Sequence, residues 1–245
     1  MTKLMDLPLV HLFAPKTASR TPALAPACVG IILDGNRRWA KKRGLPSLAG
    51  HTAGMRKLKE AVRFIADRGV RHLIVYGFST ENWNRPAEEV SYLMELFRSA
   101  IASEMEELAK EGVRIRFVGE RERFSPELKS AMDRLEKATE DNTRLTLWCC
   151  LSYGGRAEIA AAAAAAAKEG AITEQTIASH LWTAGMPDPD IIIRTGGEQR
   201  VSNFLPWQST YSEFFFVDPY WPDFSEALFD SVLSEYAVRE RRHGK

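Results

Sequence analysis

The chain is short of cysteine, of excess charge and of long apolar runs, and each shortage removes a class of protein. Its 245 residues hold three cysteines, Cys28 and the adjacent Cys149 and Cys150, with neither disulfide-framework nor zinc spacing. They read as small core hydrophobes in a reducing compartment, which points to the cytoplasm. With 33 Lys and Arg against 32 Asp and Glu the net charge is +1, so no field of one sign draws the chain to nucleic acid. Any bound anion must be held by a local cluster. No segment approaches the roughly 20 apolar residues that cross a bilayer, which leaves at most peripheral membrane contact. The apolar stretch from Leu7 to Ala14 is broken by Pro8 and His11 and is too short for a signal segment. Residues 1–26 are expected to be a flexible tail ahead of one domain over 27–245. Two nucleotide signatures are missing as well: there is no Gly-x-x-x-x-Gly-Lys-Ser/Thr and no Gly-x-Gly-x-x-Gly after the first strand.

What the chain does have is an alternation of short β-branched runs with amphipathic stretches from residue 28 onward. That pattern predicts a single α/β domain with a central, mostly parallel six-stranded sheet flanked by helices. The strands fall at 28–34, 72–78, 113–119, 144–151, 190–195 and 213–217. Met55, Leu58, Val62 and Ile65 recur at helical spacing, with Gly69 placed to end that helix. A longer helix begins after Pro86, carries Leu93, Met94, Phe97, Ile101 and Met105 on one face, and stops near Gly112. Ser125-Pro126 opens another, the alanine run 160–167 marks a fourth, and a last helix covers about 225–242.

In a doubly wound sheet ligands sit beyond the carboxyl ends of the strands. The first cluster there is Asp34-Gly35-Asn36-Arg37-Arg38-Trp39. Asp34 can ligate Mg²⁺, Gly35 allows a tight turn, and Arg38 offers a fork for phosphate. Taken alone, Asp34 reads better as a helix cap and the two arginines as a solvated face, and only the other clusters move that reading. The second cluster, Phe78 to Pro86, holds Ser79, Asn82, Trp83 and Arg85. The third runs from Arg194 through Gly196-Gly197 to Arg200 and Ser202, with two arginines around a glycine pair expected to expose backbone amides to a diphosphate.

In these residues the chain resembles the cis-prenyltransferases of the undecaprenyl diphosphate synthase type, over about residues 29–245. The resemblance rests on Asp34 to Ala40, Gly50-His51, Phe78 to Trp83, Ser152-Tyr153-Gly154-Gly155-Arg156, Ile193 to Glu198, Arg200 to Phe204 and Tyr211-Ser212-Glu213. The chain has no Asp-Asp pair, whereas trans-prenyltransferases bind metal through aspartate-rich motifs.

The resemblance implies a Mg²⁺-dependent condensation of isopentenyl diphosphate with an allylic isoprenyl diphosphate to make a longer Z-polyprenyl diphosphate. It makes Asp34 and Glu213 the metal carboxylates and Asp34, Asn36 and Asn82 the catalytic groups. Gly35, Asn36, Arg37, Arg38, Trp39, His51, Ser79, Trp83 and Arg85 then hold the allylic substrate, and Arg194, Arg200, Ser202, Arg242 and Gly244 hold isopentenyl diphosphate. It further implies a hydrophobic tunnel for the prenyl tail and a homodimer whose C-terminal tail reaches the other subunit. Two positions depart from the family pattern. Ser47 stands where an arginine is common, with Arg43 as a possible substitute, and Trp148 would shorten the product if it faced the tunnel.

Overall fold

The computed structural model describes residues 25–240, and one sheet organises them. All six expected strands form: β1 Cys28–Ile32, β2 His72–Ser79, β3 Val113–Val118, β4 Leu145–Tyr153, β5 Ile191–Arg194 and β6 Glu213–Phe216. Their order is β3-β4-β2-β1-β5-β6, and every pairing is parallel, so the sheet is wholly rather than mostly parallel. Parallel strands covered on both faces read as unbroken apolar runs, which is why β1 carries Cys-Val-Gly-Ile-Ile.

The two faces are covered unequally. Val29, Ile31, Leu73, Val75, Ile115, Leu147 and Ile193 point into the larger core. The helices over it are α2 Ser47–Asp67, α3 Ala87–Ala100, α4 Glu106–Lys110, α5 Pro126–Ala138 and α8 Glu226–Tyr236, each supplying buried side chains. Cys28, Ile32, Ile74, Cys150 and Ile192 face the other way, toward Met186, Phe204 and Leu205. On that second side the alanine-rich α6 Gly155–Glu169 packs on α7 Glu174–His180. Small side chains let the two helices approach closely.

Helix signals in the sequence hold at their starts. Ser125 Oγ accepts from the Leu128 amide, and Gly69 follows the end of α2 with φ of 80°. The expected long helix from Pro86 is interrupted: between α3 and α4, Ile101–Met105 forms a single π turn. The last helix ends at Tyr236, short of the expected 242. Most of the expected N-terminal tail, together with Arg242 and Gly244, lies outside the described residues. Among the described residues no helix is long and apolar enough to cross a membrane.

Strand order fixes where a ligand can sit. From β1 the chain moves to β2 on one side and returns to β5 on the other, so the switch point lies between β1 and β5. The short helix α1 Asn36–Lys42 leaves β1 directly above it.

Candidate active site

Asp34 and Arg194 close β1 and β5 on either side of this switch point. An arginine at the end of an apolar strand is costly to bury unless paired. Arg194 is 5% exposed, and its Nη2 donates to Asp34 Oδ2 at 2.9 Å. Its Nη1 donates to Ser202 Oγ at 2.8 Å and to the Arg200 carbonyl. Arg38 reaches Asp34 Oδ1 at 3.2 Å and donates to the Gly196 carbonyl at 2.9 Å. Glu198 links Arg38 to Arg200. Burial pushes the Asp34 carboxyl up, but the hydrogen bond and charge of Arg194 and the charge of Arg38 together outweigh it. The carboxyl is held below its usual range and stays ionised.

A second cluster faces the first. Glu89, on the first turn of α3, lies 3.1 Å from Arg85 Nη1 and 3.6 Å from both Arg37 Nη1 and His51 Nε2. Burial pulls the His51 imidazole below its ordinary value, and the charge of Arg85 adds to this. Glu89 opposes both without reversing them, so His51 is neutral at pH 7. Among the described residues its Nε2 is buried without a hydrogen-bond partner, and the same holds for Asn36 Oδ1.

Close packing of α1 on α2 places Asn36. A Cβ on Gly50 would stand 2.0 Å from the Asn36 carbonyl oxygen, and one on Gly54 would stand 2.3 Å from its Oδ1. Gly35, at φ of 101°, makes the turn into α1 where a side chain would strike the Tyr220 ring at 2.6 Å. Gly35, not Asp34, occupies the cap position of α1, which leaves the Asp34 carboxylate to Arg194 and Arg38.

Below the two clusters lies a cavity of about 350 Å³. Asp34, Asn36, His51, Ser79, Asn82, Arg85, Arg194, Arg200 and Ser202 meet at its lining, drawing on all three sequence clusters. Deeper walls are apolar and include Leu58, Leu93, Leu96, Phe97, Ile101 and Leu151. Met94, expected on this wall, packs into the core instead, and Leu96 takes the place. Asn82 Oδ1 accepts from the Ser79 amide at 3.1 Å, and its Nδ2 makes no hydrogen bond within the described residues. A charged rim above a dry floor can hold anionic head groups and an apolar tail together.

Several expected roles meet a different placement. Trp39 Nε1 donates to Asp223 Oδ1 at 2.8 Å, and Trp83 Nε1 to Ser152 Oγ at 2.8 Å under the Arg123 guanidinium. Neither indole lines the cavity. Trp148 faces the opposite side of the sheet beside His72, while its neighbour Cys149 lines the cavity. Gly196 and Gly197 do not expose their amides, which donate to the Pro219 and Val217 carbonyls; side chains are the donors here.

Glu213 begins β6 opposite Ile191, at the far end of β5 from Arg194, and pairs with Arg239 at 2.7 Å. Strand rise alone puts roughly 10 Å between those ends, so Asp34 and Glu213 of one chain cannot share an ion. Among the described residues no three His, Cys, Asp or Glu groups gather as a metal cage. One ionised carboxylate among phosphate-binding arginines fits Mg²⁺, which takes few protein ligands and completes its shell with phosphate oxygens and water.

Glu89 was not anticipated from the sequence, although Arg85 and Glu89 at i,i+4 across a helix start were a usable signal. Glu198 was quoted in a motif without a role.

Comparison with known proteins decides the family. Residues 32–244 match the family described as "Putative undecaprenyl diphosphate synthase". The chain belongs to this family. It is accordingly a cis-prenyltransferase, an enzyme of polyprenyl diphosphate synthesis that elongates prenyl chains. An isoprenyl transferase of Agrobacterium fabrum is 47% identical over 232 residues, covering 91% of this chain and 94% of its own. The ditrans,polycis-undecaprenyl-diphosphate synthase of Pseudomonas aeruginosa, described as (2E,6E)-farnesyl-diphosphate specific, is 45% identical over 235 residues, covering 93% and 95%. Among solved structures, lavandulyl diphosphate synthase from Lavandula x intermedia in complex with dimethylallyl diphosphate aligns with a TM-score of 0.86 at 33% identity, over 90% of this chain and 99% of that one. Family membership gives the charged rim and apolar floor a common purpose.

Proposed function

We propose that this cis-prenyltransferase is Mg²⁺-dependent and joins isopentenyl diphosphate to an allylic isoprenyl diphosphate. The observation that carries the reading is the Asp34 carboxylate, held between Arg194 and Arg38 at the rim, with a cation cluster on each side of it. Two anions held side by side repel one another, and two cation clusters offset that repulsion. Arg37, Arg38 and Arg85, with Gly35 and Asn36, hold the allylic diphosphate; Arg194, Arg200 and Ser202 hold isopentenyl diphosphate. A lavender relative solved with dimethylallyl diphosphate supports an allylic ligand for this fold.

The reaction breaks the allylic C–O bond, forms a C–C bond from the isopentenyl double bond to that carbon, and releases a proton from the isopentenyl carbon next to the resulting cationic centre, which sets the new double bond. Arginines on both sides stabilise charge as it develops on the departing diphosphate. Asp34 would hold Mg²⁺, whose charge would add to that stabilisation. Asn82 and Asn36 orient the reacting ends. Asn82, with Asn36 and His51 beside it at the cavity lining, also serves to remove the proton. The apolar floor receives the growing tail as a tunnel.

The deciding experiment incubates the purified protein with labelled isopentenyl diphosphate, Mg²⁺ and allylic primers of several lengths, then sizes the products. Longer prenyl diphosphates that vanish with chelator support the reading; no incorporation with any primer overturns it.

Assembly as a homodimer is part of the same proposal. The thinly covered sheet face carries half-buried Trp148, His72 and Phe214 and a Phe216 that is 37% exposed, an apolar area suited to a second copy. Glu213 could serve as a metal carboxylate only if another chain brought it to an Asp34. A strict monomer in sedimentation at assay concentration overturns the dimer and leaves the chemistry standing. The three free, buried cysteines fit a cytoplasmic setting.

A further inference from the structure

Beside the apolar cavity the rim opens into a polar recess of about 420 Å³, lined on one side by the allylic diphosphate cluster proposed above. Among the described residues four cations line it, namely Arg37, Arg38, Lys41 and Arg85, with Asp34 as the one carboxylate. Three of the four are already engaged. Arg38 is shared by Asp34 and Glu198, and Arg37 and Arg85 both lean on Glu89. Lys41 forms no ion pair among the described residues. It stands one helical turn beyond Arg37 and Arg38, at i+4 and i+3 on α1, so the three side chains share one face of the helix.

Across the recess Ser47 begins α2. The sequence left open whether Arg43 makes up for the missing arginine at this position. The structure answers otherwise: Arg43 Nη2 is tied to both carboxylate oxygens of Asp223, at 3.1 and 3.3 Å, and its guanidinium lies 4.2 Å over the Trp39 ring. It does not line the recess.

We propose that Lys41 is a substrate-binding residue that takes the outer phosphate of the allylic diphosphate, in the place left neutral by Ser47. This rests on the allylic reading of the Arg37, Arg38 and Arg85 cluster given above. Nearer the reacting carbon, the inner phosphate meets Arg38 beside Asp34, while the outer one extends into the recess toward an unspent point charge. An ammonium on a flexible stem acts as a compact point charge with rotatable donors and can follow the oxygens of a terminal phosphate.

The test uses binding alone on the full chain, with three probes: a non-reactive allylic thiolodiphosphate, the corresponding monophosphate, and inorganic pyrophosphate. Lys41→Met should weaken the diphosphate about tenfold and change the monophosphate less than twofold, since only the former has an outer phosphate. Lys42→Met and Arg43→Met should leave both unchanged, and Lys41→Arg should retain most of the affinity. Under turnover the Lys41→Met loss should appear in the allylic KM, with kcat and the isopentenyl diphosphate KM held. Adding Ser47→Arg to Lys41→Met should recover diphosphate and pyrophosphate binding. Equal weakening of mono- and diphosphate would reduce Lys41 to a general field and overturn the proposal, as would a loss that follows Arg43 instead. Failure of the unmodified protein to bind any allylic diphosphate would instead overturn the reading of the site itself.

Discussion

The two charge clusters at the rim are built in different ways. Around Asp34 the contacts are hydrogen bonds of 2.8 and 2.9 Å from the buried Arg194 to Ser202 and Asp34, with an Arg38 ion pair at 3.2 Å and a loop whose Ser202 and Asn203 sit at φ of 48° and 67°. Non-glycine residues hold such angles only when their surroundings enforce them. Around Glu89 two of the three contacts lie at 3.6 Å, and the imidazole between them keeps an open nitrogen. The first cluster is fixed before any ligand arrives, whereas the second holds its cations nearby at looser range. Preorganised charge acts on a transition state without reorganising, so the rigid half should carry the larger share of rate and the loose half the larger share of adjustable binding.

Breaking the rigid cluster at its centre is the severest test. Asp34→Asn should lower kcat by about 10³-fold, the equivalent of about 4 kcal/mol, in a protein that remains folded by circular dichroism. Near-normal turnover with unchanged Mg²⁺ dependence would remove Asp34 from the chemistry. Arg194→Ala should raise the KM for isopentenyl diphosphate by roughly 30- to 150-fold, about 2–3 kcal/mol for a charged contact to a partly buried anion. Should titration show only the allylic ligand affected, the two sides of the rim are exchanged.

Disturbing the loose cluster should cost less. Glu89→Gln is expected to raise the allylic KM roughly fivefold, about 1 kcal/mol, as Arg37 and Arg85 lose a common anchor. It should also lower the His51 pKa further, because Glu89 is the group that raises it; nitrogen chemical shifts of the imidazole would report this. An upward move would contradict the assigned geometry.

The smallest effect concerns acid. The folded-state pKa of Asp34 lies below its ordinary 3.8. Its contribution to stability is therefore present above the unfolded value and lost as pH falls through the folded one. The melting-temperature gap between the unmodified protein and Asp34→Asn should be widest near neutrality and narrow below pH 3.8. A gap that widened on acidification would mean that the arginines do not hold the carboxylate.

How much of this was legible beforehand depends on the range of the interaction involved. Alternating apolar runs located all six strands, and capping residues marked the starts of α5 and the end of α2, because backbone preference is set within a few residues. The motifs also placed Asp34, Asn82 and Arg194 at strand ends, where an α/β sheet binds its ligands. Facing was less accessible. Trp39, Trp83 and Trp148 are all near the site in sequence, yet each points to a partner other than the cavity.

By itself, then, the sequence determined a parallel α/β sheet, the family motifs and the residue types that gather at the rim. Only the tertiary structure decided that Asp34 pairs with Arg194 across 160 positions, and that Glu213 lies at the other end of its strand. It also decided that the Gly196 and Gly197 amides are consumed by a neighbouring turn, and that Lys41 rather than Arg43 lines the polar recess. Local preference fixes where the backbone bends, but a hydrogen bond goes to whichever partner the packed chain brings within about 3 Å, and that depends on strand order and register.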